Sequence, residues 1–511
     1  MKAANAEKIR NSDKITIEKY GLPGIVLMEN ASAGAAKVCL EELKDIKKPK
    51  VLVVAGKGNN GGDGYAVARL LKNKGIYTEI VVLGDLSQIQ GDAKINLDVA
   101  GKMGIPVTGN ITGIEEKIKS ADIVIDAIFG TGFKGSARSP QAEVIELINK
   151  FAQKVVSIDI PSGVNADNGH TEGSCIKADV TVTFAMPKLG NLLYPGAENT
   201  GRLEVIDISI PEQVVDELDI KTNYLTLNEA KDMLPKRRSR SNKGTYGKVL
   251  VLAGSEKMSG AAYFAGKSAY RAGAGLVYIG TVFHRRKVIQ TLIPEAICIP
   301  LDDFDGCVYG DSYDAIEDIM DGMTSVVLGP GLGSAENVRD FVERVLKNSK
   351  APVVLDADGL NAVCGNTDVL KNTAKTAIVT PHPGEMSRLT GISINEILDN
   401  PLDTALNFAK EHNAVTVLKD ARTIIAAPDG RAYINLTGNN AMSKGGSGDV
   451  LTGIIGAMLA QGLNSFDAAV LGVYIHGMAG DKAAEEMGHY GVLASDLMDF
   501  TGKVLMDLER N

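Results

Sequence analysis

Short apolar runs, each followed by a polar or glycine-rich stretch, recur along most of the chain. VLVV at 51–54, IVVL at 80–83, IVI at 123–125, VVSI at 155–158, VTVT at 180–183 and LEVI at 203–206 read as strands, most of them buried on both faces. Segments with apolar residues at helical spacing stand between them, such as YAVARLLKNKG from Tyr65, and residues 14–48 read as helices. Strands alternating with helices predict a doubly wound parallel sheet. The alternation pauses between Pro211 and Asn242. It restarts with KVLVLAG (248–254), LVYIG (276–280), VVLGPG (326–331), PVVLDADG (352–359), AIVTPHPGE (377–385) and TVLKD (416–420). A β-rich piece with a hairpin turn at Asp429-Gly430 follows, then helices from Met458 to Leu508. The pattern predicts two α/β domains, residues 1–220 and 221–511, the first with a Rossmann-like sheet.

Composition supports that division and removes several function classes. The 511 residues are 44% hydrophobic and 5% aromatic with no Trp, and the 56 glycines suit strand-to-helix turns more than a β-sandwich. The net charge of −9 is spread along the chain, and the single dense basic run, from Lys236 to Arg240, reads as a solvated linker, so nucleic acid is not expected as a partner. Cys39, Cys175, Cys298, Cys307 and Cys364 form neither a CxxC nor a zinc spacing, which fits a reducing cytoplasm. No apolar run has membrane-spanning length and the first residues lack a signal-peptide core, so a cytoplasmic protein without a membrane partner is expected.

In the first half, residues 56–61 satisfy GxGxxG between a strand and a helix, the dinucleotide fingerprint. Asp63 argues against a dehydrogenase, because a carboxylate on the helix's first turn occupies the dipole that a pyrophosphate needs. Asn59, Asn60 and Asp63 suit a cation or a sugar hydroxyl instead. Asp126 and Asp159 each end a strand, and Ser162 follows the second; ligands of open α/β sheets bind at that edge. Amide, carboxylate and hydroxyl oxygens from Asn60, Asp126 and Ser162 suit a hard cation, with Asp159 left for acid–base work.

The second half is organised around residues 444–449, Lys-Gly-Gly-Ser-Gly-Asp. A helix entered through glycines presents free N–H groups and the positive dipole end to an anion. Asp449 on its first turn can take a proton from a hydroxyl while the neighbouring amides steady a phosphoryl group. His382 is held between two prolines, which favours a fixed polar contact. Lys419, Asp420, Ala421, Arg422 and Thr423 follow a strand and could cradle nucleotide phosphates or adenosine, or form a charged turn. No GxxxxGK[ST] occurs, so the site is kinase-like without a P-loop.

With these motifs assembled, the first half resembles the NAD(P)H-hydrate epimerases, through NNGGDG (59–64), DAIFGTG (126–132) and DIPSG (159–163). The second resembles the ADP/ATP-dependent NAD(P)H-hydrate dehydratases of the ribokinase-like fold, through KGTYG (243–247), GPGLG (329–333), TPHPGE (380–385) and KGGSGDVLTG (444–453). Their order is that of the bifunctional NAD(P)H-hydrate repair enzymes. The resemblance implies epimerisation of (R)- and (S)-NAD(P)HX, the 6-hydroxy forms of reduced nicotinamide, and dehydration of the S form with ADP or ATP and Mg2+. It implies potassium on Asn60, Asp126 and Ser162. Epimerase substrate contacts fall to Asn59, Asn60, Gly61, Gly62, Asp63, Gly130, Thr131, Gly132, Phe133, Lys134, Gly135, Ser136 and Asp159. Ala261, Gly331, His382 and Asp449 are implied to meet hydrate in the dehydratase, and Lys419, Asp420, Ala421, Arg422, Thr423, Gly446 and Gly448 to meet nucleotide. Asp159 and Asp449 are the catalytic residues of this reading, and a homo-oligomer is expected. The chief rival is a small-molecule kinase that leaves a stable phosphorylated product.

Overall fold

The computed structural model describes residues 1–333 and 335–510. The chain divides into two compact units, Met1–Thr222 and Asn223–Asn511. In the first unit, β1 (Lys50–Ala55), β2 (Tyr77–Val82), β3 (Val107–Thr108), β4 (Ile123–Ala127), β5 (Val155–Ile158), β6 (Val180–Phe184) and β7 (Arg202–Ile206) form one parallel sheet. Their order is β3-β2-β1-β4-β5-β6-β7. The chain leaves β1 in one direction and returns to β4 on its other side, so the loops after these two strands part and open a crevice.

The helix after β1 differs from expectation. It starts at Asn59, and Gly61, Gly62 and Gly64 lie inside its first turns instead of in a loop. Packing is the reason. A Cβ on Gly61 would stand 2.0 Å from the Gly56 carbonyl oxygen, and one on Gly64 would stand 2.6 Å from Ala127 Cβ. The glycines let the helix press against the sheet, which carries Asn60 and Asp63 directly over the ends of β1 and β4.

The second unit repeats the plan on a larger scale. Its sheet contains β8 (Thr222–Asn223, where the division between the units falls), β9 (Lys248–Leu252), β10 (Leu276–Val282), β11 (Ile297–Leu301), β14 (Ser325–Leu328), β15 (Val353–Leu355), β16 (Ile378–Val379), β17 (Val415–Leu418), β18 (Ile424–Ala426) and β19 (Ala432–Ile434); β12 (Asp303–Phe304) and β13 (Cys307–Val308) form a separate hairpin. The order is β11-β10-β9-β14-β15-β16-β17-β18-β19-β8, antiparallel at the β17-β18 and β18-β19 pairings. Here the switch lies between β9 and β14, where the Gly254 amide bonds the Pro330 carbonyl at 2.8 Å.

The helix Ser447–Ala460 is buried over nearly its whole length, which explains its apolar residues on every side. It packs against the helix Ser259–Arg271 through Gly453, where a Cβ would meet Ser268 Oγ at 2.0 Å and the Ala265 carbonyl oxygen at 2.2 Å. Among the described residues, no helix is long and apolar enough to cross a membrane.

Gly453→Ala should therefore destabilise the protein by about 1–3 kcal/mol through overpacking. Gly502→Ala, on the helix Ala494–Glu509 with open space around the new methyl, should stabilise by about 1 kcal/mol. Urea unfolding followed by circular dichroism measures both, and equal effects would contradict the packing account.

Candidate active sites in the two units

The crevice of the first unit is a cleft of about 810 Å³. Asp126, on β4, is fully buried and does not itself line the cleft, as Ile128 and Phe129 after it do. Its two oxygens accept from the Ser157 hydroxyl (2.8 Å), the Ser162 amide (2.8 Å), the Ser162 hydroxyl (2.5 Å) and the Ile128 amide (3.2 Å). Burial raises its pKa, and those donors draw it back down. The Asn60 amide nitrogen donates to the Phe129 carbonyl at 2.7 Å, while Asn60 Oδ1 is buried without a protein partner among the described residues. The Phe129 amide donates to the Ser162 hydroxyl at 2.9 Å, which ties the loop after β4 to the loop after β5. The structure thus gathers Asn60, Asp126 and Ser162.

Asp63, Asp159, Gly130, Thr131, Gly132, Phe133 and Lys134 line the cleft together with Asn59. The Phe129 and Phe133 rings stack at 4.4 Å, and Lys134 reaches Asp167 at 3.7 Å, toward the rim. Asp159 stands at φ 71°, a left-handed conformation that a non-glycine residue holds only when its surroundings demand it. The demand comes from Lys188, whose side chain is 1% exposed and whose ammonium is ion-paired to Asp159. The same ammonium donates to the Thr183 hydroxyl (3.0 Å) and the Phe184 carbonyl (3.3 Å). Asp63 is raised well above the carboxylate range by burial first, then by Asp159 and Asp13, with Lys188 opposing.

In the second unit, Lys419 leaves the end of β17 and pairs with Asp356, at the end of β15, at 2.8 Å, with Glu385 4.0 Å away. The Thr380 hydroxyl also donates to Asp356, at 2.7 Å. A Cβ on Gly448 would stand 3.3 Å from Lys419 Nζ, so the glycine loop lies against this pair. Asp449 joins the group. Its pKa is pushed up to about 7, by burial first and then by Asp356, with Lys419 lowering it and Asp358 and Glu385 raising it further. Ala357, between Asp356 and Asp358, sits at φ 50° and ψ −117°, backbone strain localised at the carboxylates. Ser447, at the start of the loop's helix, is met 3.3 Å away by the buried ring of His476, whose pKa burial pulls down to about 4, so that the imidazole is neutral.

His382 caps the helix Pro383–Thr390. Its Nδ1 accepts from the amides of Gly384 (3.0 Å) and Glu385 (3.4 Å), so Nε2 carries the proton and remains half exposed. Gly331 and Ala261 meet, since a Cβ on Gly331 would lie 2.8 Å from Ala261 Cβ. One helical turn beyond Ala261, the Phe264 ring closes on Gly446. Lys419 is the member of its run that turns inward: Asp420 and Ala421 are exposed, and Arg422 bonds the Leu436 carbonyl at 3.1 Å on the turn before β18.

Sequence reasoning did not select Asp13, Lys188, Asp356 or His476. Asp13 was findable, because it stands four residues from both Ile9 and Ile17 on the helix Ala6–Tyr20, within its apolar stripe. The signal for Lys188 was fainter, a lone lysine soon after a wholly buried strand.

Two doubly wound units, one with a cleft lined by carboxyls around a buried lysine and one with a glycine-led helix beside clustered carboxylates, define a two-site α/β enzyme that handles nucleotides. Residues 24–190 match the profile of the YjeF-related protein N-terminus, and residues 249–502 match that of NAD(P)H-hydrate dehydratase. The bifunctional NAD(P)H-hydrate repair enzyme Nnr of Moorella thermoacetica is 40% identical, over 100% of this chain and 97% of its own. Its counterpart from Escherichia coli is 34% identical, over 98% of this chain and 93% of its own. A crystal structure of the ADP/ATP-dependent NAD(P)H-hydrate dehydratase from Bacillus subtilis, co-crystallised with ATP/Mg2+, aligns with a TM-score of 0.50 at 35% identity, covering 56% of this chain and 99% of its own. The chain belongs to the family of bifunctional NAD(P)H-hydrate repair enzymes.

Removing one member of a buried ion pair leaves the other charge uncompensated, a loss of about 3–5 kcal/mol. Lys188→Met should lower stability by that amount, and adding Asp159→Asn should recover most of it. Urea midpoints of the single and double variants measure this; an undiminished midpoint for Lys188→Met would contradict the pairing.

Proposed function

We propose that the chain repairs hydrated NADH and NADPH at two chemically separate sites, with Asp449 as the base of the dehydratase and Asp159 as an acid–base group of the epimerase. The observation that carries this reading is Asp449 itself: a carboxyl poised near neutrality on the first turn of a helix entered through Gly446 and Gly448, beside the Asp356–Lys419 pair. Such a group can be ionised at working pH and still accept a proton readily.

Hydroxide is a poor leaving group, and transferring a phosphoryl group to the C6 hydroxyl converts it to phosphate. Asp449 takes the hydroxyl proton while the amides of the loop, Gly446 to Gly448, hold the phosphoryl oxygens. The lone pair of the ring nitrogen then expels phosphate, and loss of a C5 proton restores the dihydropyridine. His382 offers its exposed Nε2–H, and Ala261 and Gly331 a close backbone approach, to the hydrate. Lys419 and the turn from Asp420 to Thr423 serve the nucleotide. Mg2+ bound with ADP or ATP would neutralise phosphate charge; among the described residues no three His, Cys, Asp or Glu side chains gather to hold a metal by themselves, so the phosphates would supply most of its ligands, with Asp356 or Asp449 within reach of the same site.

In the first unit, potassium fits the oxygens around Asn60. The buried, unpartnered Asn60 Oδ1 stands with Asp126 and the Ser162 hydroxyl, a hard-donor set. That ion would fix the loop from Gly130 to Ser136, which with Asn59 to Asp63 and Asp159 holds the hydrate. A cytoplasmic setting belongs to the same reading, since all five cysteines are free. So does assembly into a homo-oligomer, which light scattering tests directly.

Asp449→Asn should lower kcat for dehydration by about 10²–10⁴ while epimerisation continues. In the parent protein, kcat/KM for dehydration should rise with pH and level off above about 7, because the base acts ionised. The assay follows recovery of near-ultraviolet absorbance from pure S hydrate with ATP. Near-normal dehydration by the variant, or accumulation of a stable phosphorylated hydrate in its parent, would overturn the assignment. Asn60→Ala should weaken the response of epimerisation to potassium and leave dehydration unchanged, as titration of KCl against a choline background checks.

A further inference from the structure

We propose that Asp13 is a second catalytic carboxyl of the epimerase cleft, an acid that gives its proton to the C6 oxygen of the hydrate while Asp159 receives one from the incoming water. The inference rests on the epimerase reading and adds a residue to it.

Asp13 lies on the helix Ala6–Tyr20, between Ile9 and Ile17, and all three line the cleft together with Asp63, Asp159 and Lys188. Three carboxyl groups thus face the cleft around one buried ammonium. That ammonium has three protons, and they are directed to Asp159, the Thr183 hydroxyl and the Phe184 carbonyl. Lys188 therefore has no hydrogen-bond donor left for Asp13. The remaining cations on the cleft's wall, Arg10, Lys57 and Lys134, are exposed at the rim, and Asp92 adds a further acid. Carboxyls sharing one cleft raise one another's pKa, and Asp159 and Asp13 both raise that of Asp63. Burial raises Asp13 to about 6; Lys188 lowers it and Asp159 raises it. Asp159 is held by its ion pair with Lys188. A carboxyl paired to the ammonium, Asp159, and one to which that ammonium makes no hydrogen bond, Asp13, stand in one cleft.

The substrate needs such a pair. C6 of the hydrate carries a hydroxyl and is bonded to the ring nitrogen, so inversion requires a bond to C6 to break and form again from the other side. The Asp13 proton passes to the hydroxyl oxygen and the C6–O pair leaves with it as water. The lone pair on N1 closes a C6=N1 bond. Water then adds to the opposite face, the C6=N1 pair returns to nitrogen, and the added water's proton goes to Asp159. The reverse epimerisation runs through the same steps with the acid and base exchanged, as interconversion of two mirror-related centres demands.

The test uses the full-length protein. Asp13→Asn should lower kcat for epimerisation by about 10²–10⁴, with KM within about threefold and with dehydration of pure S hydrate unchanged. In the parent protein, kcat/KM for epimerisation should fall as pH rises above about 6, because the acid acts protonated. This second measurement stands even if the variant does not fold. Turnover in H2 18O should place one label at C6 for each inversion. An Asp13→Asn rate within threefold of the parent, a rise in KM alone, a flat pH profile, or inversion without label would each overturn the inference. A parent protein that does not epimerise at all would instead overturn the epimerase reading on which it rests.

Discussion

A carboxyl group taken out of water beside other carboxyls, with a buried lysine paired to one of them, is the constraint on which both units depend. Neither group of acids would be tolerable in an apolar interior without partial protonation or a paired cation. Lys188 answers Asp159 in the first unit and Lys419 answers Asp356 in the second. Each pair leaves a neighbouring acid, Asp13 or Asp449, with a pKa lifted toward neutrality. A buried ion pair adds little net stability compared with well-packed apolar groups. What it supplies here is a defined distribution of protons.

The sheets make that arrangement possible. Parallel strands end in register, so side chains at the carboxyl ends of β4 and β5, or of β15 and β17, converge without long loops to carry them. The switch in strand order then opens the space they face. Glycine decides how closely the helices can approach. Gly61 and Gly64 bring Asn60 and Asp63 down onto β1 and β4, and Gly453 seats the helix that presents Asp449. At Asp159 and Ala357 the backbone itself is held in positive φ next to a reactive acid, a local cost that the surrounding packing sustains.

Much of this was legible from apolar periodicity. The central strands were recognisable because burial on both faces leaves a continuous run of Val, Ile and Leu. Among the edge strands β7 was recognised, but β3, with two residues, and β11, which contains Pro300 and is partly exposed, were not. The helix start at Asn59 was hidden because glycine signals a loop by propensity, whereas here it is required by close packing. The glycine-led helix and the acids at strand ends were readable from local sequence. The partners that set their protonation were not, because Lys188 and Asp13 reach Asp159 across 29 and 146 residues of chain. For the run from Lys419 to Thr423, sequence could not tell that the first residue turns inward to Asp356 while the next two face solvent.

The two units share this logic but apply it to different leaving groups. In the proposed dehydratase mechanism, prior phosphorylation would avoid expulsion of hydroxide, so Asp449 would collect a proton in its ionised form, and a pKa of about 7 would keep it both available and basic. In the epimerase no phosphoryl group is used, so the oxygen must leave as water and the site must supply a proton. In the proposed epimerase mechanism that proton would come from Asp13, whose pKa burial raises to about 6 and which shares its cleft with Asp159. The same physical device, desolvation opposed by one buried lysine, thus raises one carboxyl toward neutrality in each unit, and on the proposed reading it serves a base in one and an acid–base pair in the other.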